Sequence, residues 1–179
     1  TTAYWQFLLQ DAWAAEADLS FLKVPRCGGD VLPAELERRI NAFLAQRGCS
    51  SRLIKEYGMS EDGGIMCVSY GSWEGGDVGR PLPGCRVVAV DPETGVLCPP
   101  EVQGELLIQS QAVMNGYYRR PEADHQVLKP GPDGTLWVWT KDLGHITADG
   151  RVVVTGRKKR MLSRNGFKIF PSVIENCFL

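Results

Sequence analysis

Turn signals cut the second half of this chain into short β-rich runs, and that punctuation constrains the fold more than any other feature. The runs are residues 85–90, 104–109, 136–139 and 151–155; the turns between them are Asp91-Pro92-Glu93-Thr94-Gly95, Asp133-Gly134 and Asp149-Gly150. Asp-Gly pairs favour tight hairpins because glycine accepts a positive φ without a side-chain clash. Val87 and Ala89, then Leu106 and Ile108, alternate with other residues as half-buried strands do. From about residue 70 the chain therefore reads as an antiparallel sheet or a small β-barrel-like unit.

The first third has a different texture. Trp5, Phe7, Leu8 and Trp13 give residues 4–15 a helical reading, and Asp18-Leu19-Ser20 reads as a turn. Residues 21–26 suit a short buried strand that ends at Gly28-Gly29. The clearest helix spans 33–47: Leu36, Ile40, Phe43 and Leu44 follow the 3.6-residue period, Pro33 suits the first turn and Gly48 the stop. A strand at 52–56 then runs into a turn at Tyr57-Gly58. Strand, glycine turn, helix, strand, glycine turn is an α/β pattern, and open α/β sheets bind ligands outside the carboxyl ends of their strands.

The last stretch is a basic turn, Arg157-Lys158-Lys159-Arg160, then a loop centred on Gly166, then a helix led by Pro171 in which the chain stops at Leu179. The expected division is 1–70 as the end of an α/β subdomain, 71–157 as an antiparallel β-barrel-like subdomain, and 158–179 as a hinge and the start of a small α+β domain. A stop inside a helix suggests a fragment of a longer parent.

Composition removes some functions. A net charge of −1 gives no global electrostatic reason to bind nucleic acid or an anionic membrane, and the basic cluster at 157–160 is short. No apolar run approaches spanning length and the first residues do not form a signal peptide, so the expectation is a cytoplasmic protein. The six cysteines (27, 49, 67, 85, 98 and 177) include no CxxC and no regular spacing, and neither histidine sits near a cysteine pair. They are expected as small buried apolar residues in a reducing compartment, without structural zinc.

Three short segments carry candidate chemistry. In Tyr57-Gly58-Met59-Ser60-Glu61 a hydroxyl stands beside a carboxylate, which suits a phosphate oxygen and a magnesium ion, and an aromatic ring can lie against a base. An ordinary surface turn with one glutamate explains the same spacing. Asp142, at the end of the 136–139 run, suits sugar hydroxyls, although a strand-terminal aspartate is also a common turn former. Gly28-Gly29-Asp30 reads equally as a close-approach turn or a simple connection.

In this order the segments resemble the adenylate-forming superfamily of acyl-CoA synthetases, peptide-synthetase adenylation domains and firefly-type luciferases. Gly28 to Pro33 is similar to the family's Gly-Gly segment before a helix, and Tyr57 to Glu61 to its aromatic-Gly-x-Thr/Ser-Glu motif. Gly76 to Gly84 resembles its GxxGxPxPG turn, and Gly104-Glu105-Leu106 and Gly116-Tyr117-Tyr118 its GEL and GYY pair. Trp139 to Gly144 resembles WxxTGDLG, and Gly156 to Glu175 the hinge with its glycine loop. The resemblance covers nearly the whole chain.

The resemblance implies an enzyme that joins a carboxylic acid to AMP, releases pyrophosphate from ATP, and passes the acyl group to a thiol such as coenzyme A. It implies that Ser60 meets the α-phosphate and Glu61 holds magnesium. Tyr57, Gly58, Gly28, Gly29 and Asp30 would border the adenine or acyl pocket. Asp142 and Arg157 would hold the ribose hydroxyls, Lys159 would be the hinge, and Gly166 would belong to the loop that closes on the thiol. Two positions depart from the pattern: Lys141 stands where glycine is usual, and Glu56 where a small residue is common. The family's phosphate loop and its C-terminal lysine have no counterpart here, so the piece alone is expected to be inactive. An amino-acid adenylation domain and a non-catalytic nucleotide-binding remnant are the competing readings.

Overall fold

The computed structural model describes residues 1–70, 77–160, 162–164 and 167–169. Two short helices, α1 (Thr2–Leu8) and α2 (Ala12–Glu16), stand where one helix is expected over 4–15. The break is chemical. The Asp11 side chain accepts from the Ala14 amide at 3.0 Å, which caps and starts α2.

The strand expected at 21–26 shrinks to β1 (Arg26–Gly28). Its parallel partner, β2 (Ile54–Met59), pairs with it from Ile54 onward, the Ile54 amide bonding Pro25 O and the Leu53 amide bonding Asn41 Oδ1, each at 2.8 Å. Between the two strands runs α3 (Ala34–Gln46), which buries Leu36, Ile40, Phe43 and Leu44 as its period requires. Leu36, Ile40 and Leu44 pack with Trp5, Cys27, Cys49 and Leu53 into one core, and the Trp5 indole donates to Arg26 O at 3.0 Å. Arg47 ties the helices together. Its guanidinium donates to the otherwise open carbonyls of Ala14 and Ala15 at the end of α2, at 2.8 and 2.7 Å, and lies 4.0 Å from the Phe43 ring centroid.

The turn expected at Tyr57-Gly58 is instead strand. β2 runs on to Met59 and reverses through a short 3-10 turn, Ser60–Asp62, into β3 (Gly64–Val68). The reversal is fixed by Asp62, fully buried, whose carboxylate takes the Met59 amide, and by Gly63 at φ +82°. β4 (Arg80–Pro81) completes a sheet ordered β1-β2-β3-β4.

The second sheet holds β5 (Arg86–Val90), β6 (Gly104–Gln109), β7 (Leu128–Pro130), β8 (Leu136–Ile146) and β9 (Val152–Arg157), with α4 (Pro121–Val127) leading into β7. All its pairings are antiparallel. β6 lies along one edge of β8; on the other edge β7 pairs with its first part and β9 with its last. The two Asp-Gly hairpins form as expected, with Gly134 at φ +74° and Gly150 at φ +82°.

Antiparallel sheets thus bear out the sequence reading, but no closed barrel forms among the described residues. Instead Met66 and Cys67 of β3 share a core with Val87, Ala89, Leu106, Ile108, Val138 and Val152 of the second sheet. Residues 77–79 stitch the two together: Val78 N bonds Val152 O and Val152 N bonds Gly79 O, each at 2.8 Å. Buried Asp77 steadies the seam by taking the Gly79 amide at 3.0 Å and the Arg151 guanidinium at 3.3 Å. Beyond β9 a 3-10 turn (Lys158–Arg160) leads to the antiparallel pair β10 (Leu162–Arg164) and β11 (Phe167–Ile169), where a loop is expected. The Pro171-led helix and Cys177 lie outside the described residues. Among the described cysteines, 27, 49 and 67 are buried and all five are free thiols. No described helix is long and apolar enough to cross a membrane.

Candidate functional site

Asp142 is not at a strand end, as the short 136–139 run implies, but on a bulge inside β8. Between the pairs Glu105 with Leu143 and Leu107 with Trp139, β6 contributes only Leu106 while β8 contributes Thr140, Lys141 and Asp142. Extra residues on one strand leave ladder groups open and re-aim side chains. Side chains answer those groups here. The Thr140 hydroxyl donates to Leu106 O at 2.7 Å and accepts from Asp142 N at 3.0 Å, and Glu105 Oε1 accepts from Lys141 N at 3.2 Å.

Lys141 sits at φ +62°, a left-handed conformation that strains a residue with a Cβ by about 1 kcal/mol. Lys141→Gly is therefore expected to stabilise the protein by about 1 kcal/mol, seen as a melting temperature a few degrees higher. An unchanged or lower value would show that the lysine side chain offsets its own strain.

The bulge and the register of β9 bring three predicted residues together. Arg157 is the direct cross-strand partner of Asp142, and its Nε lies 2.9 Å from Asp142 Oδ1. Tyr57, from β2 of the other sheet, donates its hydroxyl to Asp142 Oδ2 at 2.9 Å. Asp142 is 5% exposed, and burial lifts its carboxyl above the usual carboxylate range against the opposing pull of the Tyr57 hydrogen bond and the Arg157 charge. Burial, then the Asp142 charge, hold the Tyr57 phenol well above its ordinary value, so it stays a neutral donor.

Tyr57 also belongs to a cleft of about 890 Å³ at the carboxyl ends of β1 and β2, lined by Trp5, Gly28, Gly29, Gly58 and exposed Ser60 among others. A Cβ on Gly29 would meet nothing within 4 Å, whereas one on Gly28 would touch Glu56 O at 3.0 Å. Glu56, at the residue before Tyr57, is held in an ion pair with Arg26 at 3.0 Å. So Gly28, Gly29, Tyr57, Gly58 and Ser60 face one space, with Asp142 and Arg157 joined to it through Tyr57.

Glu61 accepts from the Tyr117 hydroxyl at 2.5 Å, and that bond is the main reason the Tyr117 phenol is pushed up to about 12. Tyr117 is held in turn by its amide, which donates to Asp124 Oδ1 at 2.6 Å. Among the described residues no group of three or more His, Cys, Asp and Glu side chains converges on a metal position. One carboxylate at Glu61 fits a hard cation that draws its other ligands from water and phosphate. Asp30 is exposed, caps the Val31 amide at 2.8 Å and is not part of the cleft wall. Lys159 is exposed in the 3-10 turn, and Gly166 lies outside the described residues. The sequence motifs contain Thr140, Glu105 and Tyr117 but assign them nothing; only contacts across the sheets reveal what they hold.

Comparison with known proteins places this geometry in context. A family model described as AMP-binding enzyme matches residues 1–118. A long-chain-fatty-acid–CoA ligase of Bacillus subtilis (strain 168) is 29% identical over 88% of the chain, which spans 27% of that ligase. The crystal structure of ATP-bound MatB from Rhodopseudomonas palustris superposes with a TM-score of 0.83 at 28% identity, over 97% of this chain and 33% of that one. McyG A-PCP complexed with phenylalanyl-adenylate gives a TM-score of 0.80 at 26% identity, over 94% and 27%. The chain thus spans roughly a quarter to a third of these proteins.

Proposed function

The chain belongs to the AMP-binding enzyme family, and from that premise we propose that it forms part of an ATP-dependent acid–thiol ligase. The observation that carries the reading is the buried Asp142 carboxylate held between the Tyr57 hydroxyl and the Arg157 guanidinium. A carboxylate accepts from hydroxyls and a guanidinium donates to them, so the pair suits the two adjacent hydroxyls of one ribose. Fixing the ribose places the α-phosphate against the acid, and that positioning lowers the barrier without bond chemistry by the protein. An oxygen of the acid then attacks the α-phosphorus while the bond to pyrophosphate breaks. In a second step the thiol sulfur attacks the acyl carbonyl, its proton is lost to solvent, and AMP leaves.

Ser60 is the donor to the α-phosphate in this reading, and Gly28, Gly29 and Gly58 keep the wall beside Tyr57 open for the base or the acyl chain. Magnesium, held by Glu61, would offset phosphate charge. Lys159 is the hinge between the two steps and Gly166 borders the thiol, with coenzyme A as acceptor. The likeness to McyG A-PCP supports a second reading, activation of an amino acid for a carrier protein.

The test is acid-dependent exchange of pyrophosphate into ATP by a polypeptide of the relatives' full length that contains this chain, followed by assay for the coenzyme A thioester. Exchange with thioester formation supports the ligase; exchange without it supports the second reading; no exchange with any acid rejects both. The 179 residues alone are expected to release no pyrophosphate, and turnover matching the longer polypeptide would refute that.

A further inference from the structure

We propose that Glu105 is a positioning residue that sets the spacing of Asp142 and Arg157, so that one buried carboxylate aligns both arms of the diol clamp. The inference rests on the nucleotide reading above and adds a residue to it. Glu105 is 2% exposed, and both of its oxygens are committed. Oε1 accepts the amide of Lys141, the residue before Asp142, at 3.2 Å; Oε2 accepts the ammonium of Lys158, the residue after Arg157, at 2.8 Å. Neither contact reaches the cleft.

Each contact addresses a specific weakness. The bulge puts Lys141 in the left-handed region, where its amide has lost its ladder partner; without Oε1 that part-buried amide is left open, and the bulge is free to relax. On the opposite strand Arg157 is the last residue of β9, 68% exposed in its side chain, and among the described residues nothing of the sheet follows it. The Lys158 ammonium, bonded to Glu105 and at 3.5 Å to Pro92 O, pins the chain where it leaves the sheet. A carboxylate buried this deeply is costly unless both oxygens are satisfied, and here both are, one by the residue beside each arm of the clamp.

The experiment titrates a polypeptide of the relatives' full length that contains this chain with AMP and with 2′,3′-dideoxy-AMP, following amide NMR shifts. The unsubstituted chain is expected to prefer AMP by about tenfold or more, the value of hydrogen bonds to charged groups. In Glu105→Ala the preference is expected to fall to within about twofold while dideoxy-AMP binding changes little; a general loss of folding would weaken both ligands alike. Glu105→Gln, which keeps an acceptor for Lys141 N, should retain more of the preference than Glu105→Ala. Lys158→Met, at a half-exposed position that leaves the bulge anchored, guards against a misfolded Glu105→Ala and should reduce the preference at least threefold. If the unsubstituted chain prefers AMP and both Glu105→Ala and Lys158→Met keep that preference, the positioning role is overturned and the nucleotide site stands. If the unsubstituted chain shows no preference, the nucleotide reading fails and this inference falls with it.

Discussion

Asp142→Asn is expected to weaken binding of AMP at least tenfold and, in a polypeptide of the relatives' full length that carries the proposed activity, to lower kcat/KM for adenylate formation by about a hundredfold or more, without lowering the melting temperature at pH 7. The loss follows from replacing a charged acceptor of two hydroxyls by an amide with one acceptor oxygen. Hydrogen bonds to charged groups are worth about 1.5–3 kcal/mol each, and each 1.4 kcal/mol is about tenfold. Retained stability follows from the opposite side of the ledger. The amide oxygen still accepts from Tyr57, Arg157 can turn to water from its exposed position, and the desolvation of a buried charge disappears.

The same residue fixes the pH response. Burial is the leading influence on Asp142 and raises its folded pKa above 3.8. A raised carboxyl pKa means the folded state holds the proton more tightly than the unfolded chain does. Its contribution to stability is therefore fully present below 3.8 and is lost as pH rises through the folded value. Binding is expected to run the other way: AMP affinity should fall as pH drops through that folded value, because in the proposed clamp only the carboxylate accepts both hydroxyls. Parallel titrations of affinity and melting temperature should show the two moving oppositely, with the affinity step absent in Asp142→Asn. Affinity that is flat with pH in the unsubstituted chain, or an Asp142→Asn variant that melts lower but binds normally, would sink this account.

Much of the candidate site is legible one motif at a time, because the residues proposed to touch a ligand fall in short runs along the chain. Tyr57, Ser60 and Glu61 fall in one such run, and Asp142 and Arg157 in two others. What the sequence conceals is how those runs meet. Asp142 reads as strand-terminal because the bulge is defined by Leu106, on a different strand, and by the Thr140 and Glu105 side chains that stand in for missing ladder bonds. The helix break at Asp11 is local and readable as a cap; the late start of β1 is not, since it depends on where β2 runs alongside it, from Ile54 onward. Phe21 and Val24 carry the apolar composition of a buried strand, yet both are exposed. Periodicity reports what a segment can bury, while the available partner decides what it does bury.

Gly58→Ala is expected to destabilise the protein by about 3 kcal/mol or more, the largest stability loss of any glycine substitution at the cleft. Gly58 sits where the register between β2 and β3 shifts, and a Cβ there would lie 1.7 Å from Gly64 O and 2.9 Å from Ile65 Cα. Both obstacles are backbone, so no rotamer change relieves them. Its φ is not in the left-handed region, so the requirement for glycine is space and not conformation. Gly29 is the control: at φ +85°, with nothing within 4 Å of where a Cβ would stand, Gly29→Ala should cost only about 1 kcal/mol of backbone strain. Urea midpoints of the two variants separate these causes. A Gly58→Ala loss no greater than that of Gly29→Ala would mean the hairpin can shift to admit a methyl group. The distinction matters for function, because Tyr57 reaches Asp142 from the residue beside Gly58. If the close packing of the two strands is what aims the Tyr57 hydroxyl, Gly58 serves the nucleotide through the backbone it allows, and any variant that survives folding should also lose the preference for a ribose diol.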